Sequence, residues 1–408
     1  GSIEGLTRAY PLDTPQGLAL MRLAESALRT PDSTTRGILL ADLLSSVDWR
    51  ASTNPQGPAK WLAPLLEKAG QIEGHLAQGN PSLLDQLADP IVQRSVLLGI
   101  ETLGGHFLYS LQMTDAIKQA SKSSELCSFD MLGEGARTEA DADACFQHYK
   151  AAAIALQGHT GSVDSNTANH RHHGLSIKLS AICPRFDDTH RASILGALVD
   201  RVTELAQLCL PQNIALTLDA EENDRLILTL EVLEEVALRM GNIRGLGLAV
   251  QAYNKRSLAV IDHLVEWAKA VYPGLQIRLV KGAYWDTEIA NAQREGYETY
   301  PVFTSKMATD LNYLACAKTL LNARPWIYPM FATHNPSSAA TVLTYARHLS
   351  TRGLDDFEFQ RLHGMGESLW QSLANDEHGQ QVTRRVYAPV GPFDSALAYL
   401  VRRLLENG

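Results

Sequence analysis

QIRLVKGAYWD, residues 276–286, is the stretch from which the rest of the chain is read. It opens with the short apolar run of a buried parallel strand. Within a few residues it then delivers a cation, a glycine, two aromatics and a carboxylate. A strand that needed only to fold would end in a plain turn. This one ends in groups that can do chemistry.

The same arrangement recurs on both sides of it. Strand-like segments fall at 126–132, 174–180, 213–219, 245–251, 276–280, 326–333, 357–362 and 384–389. Helix-like segments alternate with them at 138–156, 189–208, 223–240, 257–271, 305–321 and 337–349, near Ser368, and at 394–406. Eight such alternations have the count and size of a (βα)8 TIM-like barrel. A doubly wound sheet is the runner-up. The barrel predicts that functional groups gather at strand C-terminal ends, and candidates stand there. Glu134 follows the first strand, Lys178 lies late in the second, and Asp219 and Gln251 close the third and fourth. Arg278 and Lys281 belong to the fifth, Thr333-His334-Asn335 ends the sixth, His363 follows the seventh, and Tyr387 lies late in the eighth.

Ahead of the barrel, residues 6–122 read as helical. Thr14-Pro15 is a helix start, and Asn54-Pro55, Gly57-Pro58 and Asn80-Pro81 are breaks. The domains are therefore an N-terminal helical arm and helical domain, 1–122, and an α/β barrel, 123–408. The 408 residues carry a formal net charge of −9, which argues against a nucleic-acid partner. No apolar run is long enough to span a membrane. The five scattered cysteines include no CxxC pair, which suits free thiols in a reducing cytoplasm.

Two constellations carry the chemistry. Tyr399, Arg402, Arg403 and Glu406 stand at i, i+3, i+4 and i+7 and share one helix face. Paired arginines there suit a substrate carboxylate, although a solvated face using Glu406 as ion-pair partner has the same spacing. Lys178 and Lys281 lie in apolar strands, where lysine is seldom buried without a partner. They could form a Schiff base, balance an anionic ligand and Asp219, or extend to solvent. Tyr284, Trp285, Leu362, Tyr387 and Tyr399 could wall a small ring or a flat cofactor. The loop 159–173 holds four histidines but no carboxylate or cysteine at ligand spacing, so no metal site is assigned. Gly241, Gly245 and Gly247 do not form the dinucleotide fingerprint GxGxxG, so barrel rim groups would have to hold any dinucleotide.

The runs SIKLSA (176–181), LDAEENDRL (218–226), VQAYNKR (250–256) and IRLVKGAYWD (277–286) resemble the proline dehydrogenase family. So do FATHN (331–335), FQRLHGMGE (359–367), YAPVG (387–391) and YLVRRLLENG (399–408). The resemblance is strong from about 125 onward and nearest to one module of a longer bacterial protein. It implies a distorted barrel that uses FAD to oxidise L-proline to 1-pyrroline-5-carboxylate, with a ubiquinone-type membrane acceptor. Arg402 and Arg403 are then implied as the carboxylate clamp, with Lys178 assisting and Glu134 pairing with the arginines. Asp219 is implied beside the amine, and Tyr284, Leu362, Tyr387 and Tyr399 around the ring. Arg278 is implied near flavin N5. Gln251, Lys281, Gly282, Ala283, Trp285, Thr304, Lys306, Thr333, His334, Asn335 and Glu406 are the remaining implied FAD positions.

The resemblance also implies a cytoplasmic location, with peripheral contact at the inner face of the bacterial membrane for the full-length protein. DNA binding and a second, aldehyde-oxidising domain are expected to be absent from this chain. A Schiff-base barrel lyase using Lys178 or Lys281 is the rival enzyme reading, and a non-catalytic module the third.

Overall fold

A computed structural model describes residues 108–392 except 124, 134, 160–171 and 350–352, together with seven isolated positions between 16 and 48. The chain divides into two compact units. One is Ser110–Val390, and the other combines Gly1–Tyr109 with Gly391–Gly408. Every element named below lies in the first.

Eight parallel strands close into a barrel in chain order. They are β1 Leu126–Met131, β2 Gly174–Ile177, β3 Ala215–Leu218, β4 Leu246–Gln251, β5 Leu275–Val280, β6 Ile327–Ala332, β7 Glu358–Leu362 and β8 Thr383–Val390. Pairing of β8 back onto β1, from Leu126 opposite Arg385 to Met131 opposite Val390, closes the ring. The described helices are α1 Met113–Ser123, α2 Glu139–Gln157, α3 Arg191–Cys209, α4 Leu226–Met240, α5 Ser257–Ala270, α6 Trp285–Arg294, α7 Lys306–Asn322, α8 Pro336–His348 and α9 Glu367–Asn375. Helix α1 precedes the barrel and α2 to α9 alternate with its strands. The expected (βα)8 architecture is therefore present.

Strand registers differ from the sequence reading in one respect that matters for function. The strands looked like apolar runs, but they alternate. Cys127, Phe129, Leu175, Ile177, Leu216, Leu218, Leu248, Val250, Ile277, Leu279, Phe331, Phe359, Val386 and Ala388 are all buried. The residues between them include Ser128, Asp130, Ser176, Arg278, Glu358, Gln360, Arg385 and Tyr387, which reach one another across the barrel (below). Successive side chains in a strand take opposite faces, so the apolar set faces the helices and the polar set fills the barrel. TIM barrels are usually filled by branched aliphatics. This one is filled by hydrogen-bonding groups.

Local chemistry fixes the helix starts. Thr138 caps α2 by accepting the Asp141 N–H while the Asp141 carboxylate accepts the Thr138 N–H, a reciprocal capping box. Asn335 accepts the Ser338 N–H to cap α8, with Pro336 in the first turn. Helix α6 was not foreseen in the sequence. With α7 it makes two helices between β5 and β6, and Tyr284 leads into it.

Candidate active site

Arg278 on β5 is the hub of the barrel mouth, 3% exposed. Its Nε donates to Gln360 Oε1 on β7 (2.7 Å) and its Nη1 to Asp219 Oδ1 (2.7 Å). Its Nη2 donates to the hydroxyls of Ser128 on β1 and Ser176 on β2, both at 2.9 Å. The guanidinium carbon lies 5.2 Å from the Tyr387 ring centroid, within cation–π range. One arginine thus gathers groups from five other strands or their ends.

Above it, Lys178 and Asp219 each sit one residue past their strands, β2 and β3. Lys178 Nζ is 2.9 Å from Asp130 Oδ2 and 3.6 Å from Asp219 Oδ2. The Tyr387 hydroxyl is 2.7 Å from Asp130 Oδ2 and 2.6 Å from Asp219 Oδ2. A hydroxyl has one proton to donate, so the two carboxylates share it. Asp130 Oδ1 is buried with no hydrogen-bond partner among the described residues, an unused acceptor at the end of β1. Burial alone would push the Lys178 ammonium down. The charges of Asp130, Tyr387, Asp219 and Tyr149 outweigh burial and hold it well above the ordinary lysine value.

Below Arg278 the polar column continues. Gln360 Nε2 donates to Glu358 Oε1 (2.5 Å), and Arg385 pairs bidentately with Glu358 through Nε (2.7 Å) and Nη2 (3.0 Å). Arg385 Nη1 also donates to the His172 carbonyl (2.6 Å). The sequence reading missed Ser128, Asp130, Ser176, Glu358, Gln360 and Arg385. Their signal was available as polar residues at every second strand position, hidden because both strand faces are buried.

The expected cofactor positions gather on the β4, β5 and β6 side. Gln251 Nε2 donates to the Glu221 carbonyl (2.8 Å), and its Oε1 accepts the Ala283 N–H (3.1 Å). His334 Nε2 accepts the Leu362 N–H (3.0 Å), which joins the β6 end to β7. Thr333 Oγ1 accepts the Asn335 N–H. Lys281 is ion-paired with Asp310, and the indole of Trp285, an exposed residue, donates to the Phe303 carbonyl. Thr304 and Lys306 are exposed at the start of α7, whose N-terminus has no side-chain cap.

These features fit FAD. Uncapped helix N–H groups beside Lys281 and Lys306 suit phosphates, and an exposed indole suits a flat ring. Arg278 is a fixed positive charge suited to an electron-rich ring. Backbone is kept close at two glycines. A Cβ on Gly282, which has φ +141°, would enter the Tyr253 ring, and one on Gly366, with φ +66°, would press on His334 Cδ2 at 2.8 Å. Tyr284 is buried and Leu362 half-buried at the same rim. Glu134, Tyr399, Arg402, Arg403 and Glu406 lie outside the described residues.

Helix α6 is locked to the β3 rim by a buried carboxylate. Glu288 Oε1 accepts the Asn223 N–H at 2.6 Å. Burial, helped by Asp224 and Glu222, pushes its pKa from an ordinary 4.5 up to about 7, against the pull of that hydrogen bond and of Arg256. A carboxyl whose folded pKa is raised contributes stability below its unfolded pKa and loses it as pH rises through the folded value. Between about pH 4.5 and 7 the native protein should therefore lose roughly 2–3 kcal/mol relative to Glu288→Gln, which keeps the acceptor oxygen. Urea titrations of both proteins at pH 4.5 and 8 would check this, and parallel pH dependences would refute it.

The histidine loop takes a structural part where it is described. His173 Nδ1 accepts the Cys127 N–H (3.1 Å), and burial, followed by Arg385, His172 and His159, lowers its pKa to about 4. Among the described residues, no three His, Cys, Asp or Glu side chains come together as a metal site.

Two family models match the chain. That described as proline dehydrogenase covers residues 113–408. That described as the DNA-binding domain of proline dehydrogenase covers 2–107. The second match overturns the expectation that no nucleic-acid partner concerns this chain. Net charge over 408 residues was the wrong measure. Residues 2–107 carry eight Lys and Arg against eleven Asp and Glu, so a DNA contact there would need a local basic face.

The chain is 38% identical to the bifunctional protein PutA of Salmonella typhimurium and to that of Escherichia coli, over 100% of this chain and 32% of each relative. It thus spans about a third of the length of these curated relatives. Among solved structures, a variant of proline utilization A from Bradyrhizobium japonicum is 40% identical, with TM-score 0.73 over 100% of this chain and 41% of that one. Proline utilization A from Bdellovibrio bacteriovorus, inactivated by N-propargylglycine, is 25% identical with TM-score 0.76, over 99% of this chain and 38% of that one. Motif, barrel and family match coincide over the same residues, and the chain belongs to the proline dehydrogenase family.

Proposed function

We propose that this chain binds FAD and oxidises L-proline to 1-pyrroline-5-carboxylate, with a ubiquinone-type membrane acceptor taking the electrons. The observation that carries the reading is the buried cluster of Arg278, Lys178, Asp219 and Tyr387 at the C-terminal mouth of a barrel in this family. When bound, FAD would supply the hydride acceptor for oxidation of the proline ring carbon–nitrogen bond.

The chain's own residues bind and orient. Arg402 and Arg403 clamp the carboxylate, Glu134 holds the arginines, and Lys178 adds positive charge. Tyr284, Leu362, Tyr387 and Tyr399 enclose the ring, which fixes the reacting carbon and supplies much of the rate through proximity. Asp219 lies beside the amine and is oriented by the Tyr387 hydroxyl, which also reaches Asp130. Gln251, Lys281, Gly282, Ala283, Trp285, Thr304, Lys306, Thr333, His334, Asn335 and Glu406 hold the cofactor. N-Propargylglycine, the inactivator of a solved relative, is a secondary amino acid like proline, which supports a site built for that substrate class.

The Schiff-base alternative has nothing in its favour. Lys178 is held protonated, whereas a nucleophilic lysine must be neutral. The family resemblance supports a cytoplasmic location with peripheral contact at the inner face of the membrane; separately, among the described residues no helix is long and apolar enough to cross a membrane. Protein reconstituted with FAD should be yellow and should bleach when proline is added anaerobically. Protein that retains no flavin, or flavin that proline fails to reduce, would refute the reading.

A further inference from the structure

We propose that Gln360 is a positioning residue, itself oriented by Glu358, that fixes the direction and effective charge of Arg278 and so sets the potential of the bound flavin. The proposal rests on the flavin reading above. Its geometry stands on the barrel interior alone.

Gln360, Glu358 and Arg278 are 1%, 0% and 3% exposed, so water does not compete for their bonds. Arg278 can only donate, and an ionised Glu358 can only accept. The amide between them therefore stands one way round, with Oε1 towards Arg278 Nε (2.7 Å) and Nε2 towards Glu358 Oε1 (2.5 Å). Nε2 also lies 3.2 Å from Met330 Sδ. Turning the amide over would set donor against donor and acceptor against acceptor. Glu358 cannot itself be turned, because Arg385 holds it bidentately and the Tyr328 hydroxyl donates to its Oε2 (3.3 Å).

The electrostatic consequence follows. The charge of Glu358 is matched by Arg385, and what reaches Arg278 from β7 is a neutral acceptor. Among the described residues Arg278 meets one carboxylate directly, Asp219, and keeps part of its positive field. A glutamate at 360 would place a second carboxyl group against the same guanidinium, with its other oxygen facing Glu358 where Nε2 now donates, and would reduce that field. Positive charge at the flavin favours its reduced, electron-rich form, so weakening it disfavours reduction.

Potentiometric titration of the flavin in the full holoprotein tests this, comparing the native chain with Gln360→Glu, Gln360→Met and Arg278→Lys. Gln360→Glu should make two-electron reduction about tenfold less favourable, about 30 mV lower. Gln360→Met, similar in volume and uncharged, should lower the potential by less, since it loses the tether alone. If the glutamate variant does not fold, the methionine variant is judged by the same direction. Potentials that stay at the native value at position 360 while Arg278→Lys moves would overturn the proposal. Native protein that retains no flavin would overturn the functional reading and this proposal together. Retained flavin with unmoved potentials would overturn this proposal alone.

Discussion

Replacing Arg278 with methionine is expected to cost about 3–5 kcal/mol of stability and to lower kcat/KM for proline at least about 100-fold. The stability loss arises from what remains. Asp219 loses the partner at 2.7 Å that balances its charge, while Lys178 stays 3.6 Å away. Ser128, Ser176 and Gln360 each lose a buried donor. Breaking one side of a buried ion pair is costly even where replacing the whole pair is not. Loss of kcat/KM follows separately, because a preorganised charge beside the reacting centre disappears. Arg278→Lys separates the effects. A lysine keeps the charge and, with three N–H donors on one atom, cannot reproduce the four directed bonds of the guanidinium, so it should recover part of the stability and little of the rate. Denaturant midpoints and steady-state kinetics measure the two losses. A methionine variant of native stability would remove Arg278 from the centre of the barrel network.

Gly282→Ala is expected to cost about 4 kcal/mol and to weaken cofactor retention. Two effects add. The backbone at φ +141° is one that side chains rarely adopt, which costs about 1–3 kcal/mol. The new methyl would also fall within the ring of Tyr253, which is 3% exposed and cannot swing into solvent. Overpacking of that kind costs about 1–3 kcal/mol more. The strain would be relieved by moving the chain at Lys281–Ala283, which carries the Lys281 carbonyl bound by Tyr253 N and the Ala283 N–H bound by Gln251. Flavin content per protein after gel filtration, together with the unfolding midpoint, reads both effects. A variant with native midpoint and flavin content would show that the turn tolerates a side chain.

Much of the fold was legible because the strand ends carry residues that packing alone does not demand. Lys178, Asp219, Arg278 and Tyr387 were each recognisable one at a time, and the structure brings all four together. The strand interiors were less legible. In β5, Leu275, Ile277 and Leu279 pack towards helices while Gln276 and Arg278 enter the barrel, and burial of both faces disguises this alternation as an apolar run. Asp130, Glu358, Gln360 and Arg385 were passed over for that reason. Helix α6 was missed because its ten residues are mostly polar, and its one buried carboxylate, Glu288, takes its meaning from Asn223, 65 positions away.

The sequence by itself determined the order of the eight strands and of the described helices between them except α6, the rim motifs and, through them, the family. These depend on periodicity, turn chemistry and residue type, all of which are local. Only the tertiary structure decided that Lys178 is held as a charged ammonium, that one tyrosine proton serves two carboxylates, and that Arg278 meets a neutral amide on one side and a carboxylate on the other. Those outcomes depend on distances between side chains from different strands. Barrel closure sets these distances, and no stretch of chain encodes them alone.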